Sequence, residues 1–429
     1  MESERLSARF AAFHQPAVVL AALLAFGAGS ASYRHWRATN AIDFFQFWAV
    51  GQVYSALPDG EFYSAAGRRA VGDHFVHVAL EPGASEGLRY SANHRQVFAT
   101  YSTPLLYALF GALSSGDYDL DYALYHALSL LALAAAVLGL CTLFGYGALA
   151  SLLALAFVLA LNEPYRADIR VGNVNALQVA GLALLFFALS RPQSRRRDVA
   201  TGALLALLVL FKPNLAACAL LLGFIWLARG KLETLRWNLL GAAGAALVAV
   251  AGTSALMGAR VWPAWLAALR GLGAAGEEPL TLAQGNYAPA RLLFETTGLH
   301  LGLAFALALG GACLAILWLS RRKAVAVPDA LAVTLGAGLA TLAGGLSWLH
   351  YFLLPLPGAL YLLRPSAPGA GLQSRQPLAA LALLAFTLPW SHLAAAWQPV
   401  AVSLQLVAGA LCLMAAAFSQ ALAAERATD

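Results

Sequence analysis

The chain has 429 residues, of which 60% are hydrophobic and only 11% charged, with a mean hydropathy of +0.69. A water-facing surface on a chain of that length needs far more charge, so composition excludes a soluble globular enzyme and predicts an all-α integral membrane protein. The formal net charge of +6 does not mark a nucleic-acid partner. Its lysines and arginines sit in short loops between apolar runs, where they set topology.

A bilayer is crossed by about 20 apolar residues. Candidate spans fall near 16–34, 101–115, 121–141, 145–162, 174–190, 199–211, 214–228, 237–257, 300–319, 328–346, 349–363, 377–390 and 398–421. This predicts one polytopic domain over 1–429, a bundle of about 11–13 transmembrane helices, with the short runs as tilted or broken helices. The first apolar run has no small-residue cleavage site after it and reads as a retained helix. The basic stretches 2–9, 191–197, 229–236, 321–323 and 364–375 are expected on the cytoplasmic side. That puts 35–100, Lys212, 258–299, Ser347–His350 and Pro389–His392 on the outer face. Three spans between 101 and 162 break this parity. One of them is therefore expected to be re-entrant or interfacial, or two of them to form one element.

The tract 35–100 is the largest polar insertion, and segments such as Phe44–Tyr54 read as amphipathic helices at the interface. The loop 258–299, with Arg260, Trp262, Trp265, Glu277, Glu278 and Gln284, either shapes what a cleft admits or covers it. The four cysteines, Cys141, Cys218, Cys313 and Cys412, lie singly in apolar segments and read as small core residues. The spacing in Asp73-His-Phe-Val-His77 is a poor metal signature, and no metal is expected.

Four polar groups fall at span ends on the predicted outer face, where side chains from different helices can converge. Asp43 with Gln46 opens Asp-Phe-Phe-Gln-Phe-Trp48. Asp43 is either a helix cap or a general base. Arg166-Ala-Asp-Ile-Arg170 suggests an ion pair from Asp168 to a flanking arginine, or an arginine held for phosphate. Gly172-Asn-Val-Asn175 opens a helix, and backbone N–H groups at a helix start favour anions. Lys212 in Phe-Lys-Pro-Asn214 either snorkels to headgroups or holds an anion. His350 in Ser-Trp-Leu-His-Tyr351 is an aromatic-belt residue or a partner for phosphate or sugar.

In this order, Asp43, Tyr101-Ser-Thr-Pro-Leu105, Gly172-Asn-Val-Asn175, Phe211-Lys-Pro213, Gln284-Gly-Asn286 and Ser347-Trp-Leu-His350 resemble glycosyltransferase family 87. These are polyprenyl-phosphate-sugar-dependent membrane transferases of the GT-C type. The family usually reads Gly-Gln-x-Asn where this chain has Gly172-Asn-Val-Asn175, and a second histidine where it has Tyr351. The resemblance implies an inverting transfer of mannose or another hexose or pentose, at the periplasmic face of a bacterial inner membrane. The acceptor would be the hydroxyl of a glycolipid or glycan. It makes Asp43 the catalytic base. His350, Lys212, Asn173, Asn175, Arg170 and Gln46 would hold the donor phosphate or sugar, and Gln284, Asn286 and Trp348 the acceptor or a lid. Protein cations can neutralise a leaving phosphate, so no cofactor is required in principle. The alternative is a lipid or solute transporter, disfavoured because transporters place ionisable residues at mid-span and often show paired halves.

Overall fold

The computed structural model describes residues 16–35, 41–271, 280–322, 326–366, 373–387 and 398–423. The basic cluster 2–9, Glu277, Glu278, Lys323 and Pro389–His392 lie outside the described residues. Among the described residues all regular structure is helical. The first part runs α1 (Pro16–His35), α2 (Ile42–Val53), α3 (Ala65–Leu80), α4 (Glu86–His94) and α5 (Pro104–Leu113). It continues with α6 (Tyr118–Leu143), α7 (Ala148–Leu161), α8 (Glu163–Val171), α9 (Asn175–Ser190), α10 (Arg195–Phe211), α11 (Ala216–Ala228) and α12 (Leu232–Met257). The remainder is α13 (Val261–Gly271), α14 (Pro289–Thr297), α15 (Gly302–Ser320), α16 (Ala326–Leu342), α17 (Leu356–Leu363), α18 (Arg375–Ala385) and α19 (Gln398–Leu422). Short 3₁₀ turns occupy Pro58–Tyr63, Pro213–Leu215 and Leu349–Leu353.

Among the described residues five helices, α1, α6, α12, α15 and α19, are long and apolar enough to cross a membrane alone. The others are shorter, as broken or tilted elements packed in a bundle would be. The pair α7 and α8 reaches the same length and apolarity together and meets at a bend of 56°, as a broken span or a re-entrant loop does. The bend has a local cause. Asn162 caps α8 by accepting from the Tyr165 backbone N–H at 2.9 Å, and Pro164 fills the first turn, where a missing N–H costs nothing. Leu239, Leu240, Leu247, Val248 and Leu256 line α12 exposed, a continuous apolar face that water does not tolerate but lipid does.

The segment 101–162 holds one short helix and two longer ones. At ten residues, α5 is about 15 Å long, half the hydrocarbon thickness. Both its ends stay on one side of the bundle. Thr103, its cap, bonds the Phe211 carbonyl at 3.3 Å. Beyond its other end the backbone N–H of Ser115 bonds Asp121 at 2.8 Å, and Trp48 donates to the same carboxylate at 2.8 Å. So α5 is too short to cross alone, α6 is long enough, and α7 reaches that length only together with α8. Tyr125 near the start of α6 reaches the Asn173 carbonyl, and Tyr146 beyond its end reaches the Leu360 carbonyl in α17.

Polar residues therefore gather at two ends. At the basic end, Arg197 pairs with Asp198 at 2.9 Å and lies 3.9 Å from Asp329, joining the starts of α10 and α16. At the opposite end lie Asp43, Asn173, Lys212 and His350. A separate aromatic core sits at that end. It combines Phe44, Phe45, Phe47 and Trp48 of α2 with Phe75, Phe98, Tyr107, Tyr118 and Trp265. Here expectation and structure differ. Residues Phe44 to Gly51 of α2 are buried on every face rather than on one, because helices α3 to α6 enclose it. The short α4, by contrast, buries Leu88, Ser91 and Ala92 and turns its charges outward. From the loop 258–299, α13 closes onto this cap. Trp265 donates to the Tyr101 carbonyl at 3.0 Å, and the Arg260 N–H bonds Asp59 at 3.1 Å. Cys141, Cys218 and Cys313 are buried and Cys412 partly so, all unpaired.

Candidate active site

Asp43 is placed by a backbone device. Ala41 adopts a left-handed conformation (φ 41°, ψ 36°), unusual for a residue with a side chain. It donates its N–H to the Arg170 carbonyl at 3.2 Å. The strained turn docks the start of α2 on the C-terminus of α8 and leaves Asp43 in the first helical turn, where a carboxylate complements the helix dipole. The contact has no room for a side chain at Gly172. That residue ends α8 at φ 67°, and a Cβ there would lie 2.6 Å from the Cβ of Phe44. Glycine satisfies the turn and the close approach together.

Five side chains then form one connected line. Asp43 Oδ2 accepts from Asn173 Nδ2 at 2.7 Å. Asn173 Oδ1 accepts from Lys212 Nζ at 2.7 Å. The same ammonium donates to Asn175 Oδ1 at 3.2 Å, and Asn175 Nδ2 donates to Asp168 Oδ1 at 2.9 Å. Lys212 stands in the break between α10 and the turn Pro213–Leu215, where Pro213 stops the helix and points the lysine toward α9. Burial pulls its ammonium from the ordinary lysine range down to about 8, while the carboxylates of Asp168 and Asp43 hold it up against that pull.

Arg95 closes the far side of Asp43 at 3.3 Å, with Asp43 retaining 20% side-chain exposure. Sequence reasoning does not single out Arg95, which lies 52 residues away. Asp168 corrects an expectation. Arg166 pairs with Glu163 at 2.7 Å instead, because residues two apart on a helix do not face each other. Asp168, 2% exposed, turns inward and accepts the backbone N–H groups of Asn175 and Ala176 at 3.3 and 3.1 Å. The anion at the start of α9 is thus the protein's own carboxylate.

His350 is buried, and its Nε2 has no hydrogen-bond partner among the described residues. It stacks on Trp348 (centroids 6.4 Å, 11°) and meets Tyr351 edge-on. Lys212 Nζ lies 4.4 Å from the centre of the Tyr351 ring, a cation–π contact that ties this turn to the lysine. The charges of Lys212 and Arg170 both act on His350. Asn286 holds the turn in place. Its Nδ2 donates to the Gly345 carbonyl at 3.0 Å, and its Oδ1 accepts from the Ser347 N–H at 3.0 Å. Gly285 brings the backbone against the Trp348 ring, 3.0 Å from where its own Cβ would stand. The Gln284-Gly-Asn286 and Ser347-Trp-Leu-His350 motifs are therefore one packed unit. Gln284 itself is exposed and bonds only within its own turn, at Thr281. Gln46 donates to the Ala99 carbonyl at 2.7 Å, fixing the segment after Arg95, and is not part of the Asp43–Lys212 line.

A cavity of about 350 Å³ is lined by Arg170 and Leu349 but by none of Asp43, Lys212 and His350. Arg170, Glu163, Tyr287 and Gln398 supply its polar wall, and Leu349, Phe386 and Leu406 its apolar one. The site thus joins a carboxylate with some water access, an anchored ammonium and a buried imidazole nitrogen without a partner among the described residues.

The family model for glycosyltransferase family 87 matches residues 100–327. That stretch holds Asp168, Arg170, Asn173, Asn175, Lys212, Gln284 and Asn286, while Asp43, Trp348 and His350 flank it. No curated protein and no solved structure matches the chain.

Proposed function

The chain belongs to glycosyltransferase family 87, and from that membership we propose that this membrane glycosyltransferase is an inverting enzyme using a polyprenyl-phosphate sugar. The transferred sugar is mannose or another hexose or pentose. The acceptor is a glycolipid or glycan hydroxyl on the periplasmic side of a bacterial inner membrane. The observation that carries the reading is the Asn173 amide, which joins the Asp43 carboxylate to the Lys212 ammonium through two bonds of 2.7 Å. One end is suited to accept a proton, the other to meet a phosphate.

The step is a single displacement. The acceptor oxygen attacks the anomeric carbon and its proton passes to Asp43. The bond from that carbon to the phosphate oxygen breaks on the opposite face, and the polyprenyl phosphate leaves with the electron pair. One base suffices, because phosphate needs no protonation to depart. Lys212 and Arg170 stabilise the charge that develops on it, and His350 offers the free ring nitrogen. The cavity that shares Arg170 with this site would receive the first isoprene units.

Replacing Asp43 with Asn keeps the Asn173 contact partly intact and removes the base. Transfer from a polyprenyl-phosphate sugar should fall by about 10²–10⁴-fold with little change in donor affinity. Near-normal turnover would reject the base assignment.

A further inference from the structure

The reaction proposed above uses Asp43, Lys212, Arg170 and His350 and leaves Asp168 without a part. Yet Asp168 is the more deeply buried of the two carboxylates on the line, at 2% exposure. Capping α9 does not explain the choice of aspartate. Asparagine or serine caps a helix about as well, and a buried charge costs far more than a neutral cap. The carboxylate needs a cation, and among the described residues the bridge leads to one. Asp168 Oδ1 holds Asn175 Nδ2 at 2.9 Å, and Asn175 Oδ1 holds Lys212 Nζ at 3.2 Å.

The two arms that end on Lys212 have different fates in the reaction. The charged and titratable groups facing the lysine are Asp43 from α2, Asp168 from α8, and His350 and Tyr351 from the turn Leu349–Leu353. When Asp43 takes the acceptor's proton, its charge disappears. Of the protein's own two carboxylates that act on Lys212, only Asp168 then keeps its charge. We propose that Asp168 is a positioning residue: the standing counter-charge that, through Asn175, keeps Lys212 an ammonium while Asp43 is neutral. This assignment rests on the transferase reading and extends it to the maintenance of the phosphate-binding cation. Burial lowers the Lys212 ammonium, and the carboxylate of Asp168, ahead of that of Asp43, raises it.

The test uses the purified full-length chain and undecaprenyl monophosphate as the probe, with affinity measured from about pH 6 to about pH 10. The unsubstituted protein should lose affinity as the pH passes about 8. In Asp168→Asn the loss should begin about one pH unit lower. Lys212→Arg, and Lys212→Arg combined with Asp168→Asn, should show no such loss, because arginine does not titrate there. Superimposed profiles for Asp168→Asn and the parent, or the same shift persisting in the Lys212→Arg background, would overturn the assignment. A second measurement needs no ligand and survives poor folding of the single variant. Asp168→Asn combined with Lys212→Met should melt above Asp168→Asn alone, because neither charge is then left buried without its partner. A double variant no more stable than the single one would also overturn it. Failure of the base assignment is separate: it appears as normal turnover in Asp43→Asn and leaves these profiles unaltered.

Discussion

Asp43 and Lys212 lie beyond ion-pair distance of each other yet share one side chain, the Asn173 amide, which donates to the carboxylate and accepts from the ammonium at 2.7 Å each. Neither charge can move without disturbing the other's partner. An amide fits this position because it has a donor and an acceptor at fixed separation. An aspartate there would set a like charge beside Asp43.

The shared amide separates three variants by kinetics. Asn173→Ala should lower kcat and raise the donor KM together, each by roughly 10-fold or more, because it loosens both ends. Lys212→Ala and His350→Ala should act mainly on the donor, at a cost of about 1.5–3 kcal/mol for a lost charged contact. Steady-state kinetics with donor and acceptor varied separately check this. Unchanged donor KM in both alanine variants would refute their placement at the phosphate.

The lowered Lys212 value gives two pH trends of opposite sign. Donor use requires the ammonium and should decline as the pH rises through about 8. Stability runs the other way. A lysine with a folded value near 8 and an unfolded value of 10.5 binds its proton less tightly when folded. Its penalty is complete below about 8 and is relieved as the pH climbs toward 10.5. Thermal melting across that window should show a rise that Lys212→Met removes.

Gly172 is a test of placement rather than chemistry. Gly172→Ala introduces a methyl group 2.6 Å from Phe44 Cβ at a position with φ 67°. The expected cost is about 1–3 kcal/mol of stability, with α2 pushed off α8. Activity should drop further than the population of folded protein does, because Asp43 is the residue after Ile42 at the displaced end. Melting temperature and kcat measured on the same preparation decide it.

Asn286→Ala strips the acceptor from the Ser347 and Ala288 N–H groups and the donor from the Gly345 carbonyl. Each buried group left unpaired costs about 1–3 kcal/mol. The turn carrying Trp348 and His350 should loosen, which hydrogen exchange at residues 345–351 would register. Exchange unchanged from the parent would remove Asn286 from this role.

Much of the site is legible from local chemistry, and what escapes it has common causes. Asp43 stands out because a carboxylate among four aromatics near a bilayer needs a reason. Lys212 stands out at a proline-stopped helix in an apolar stretch. Membrane character and helical class follow from hydropathy, since only helices and closed barrels satisfy the backbone in lipid. Asp168 misleads because its flanking arginines are near in sequence but rotated away on the helix. Arg95 stays hidden because its contact spans 52 residues and no periodicity announces it. The burial of α2 is concealed for a similar reason. A segment with apolar residues at helical spacing reads as interfacial until the elements that enclose it are known.

The 130 residues between Asp43 and Asn173 also set a schedule for biosynthesis. At a translation rate of about 10 residues per second, the carboxylate is made on the order of ten seconds before its amide partner. Arg95 emerges earlier and from the same side of the first crossing, so a guanidinium is at hand while the ribosome completes α6 through α9. The nascent cap can fold around that ion pair, and α9 and α10 then arrive to finish a chamber whose first wall is already standing.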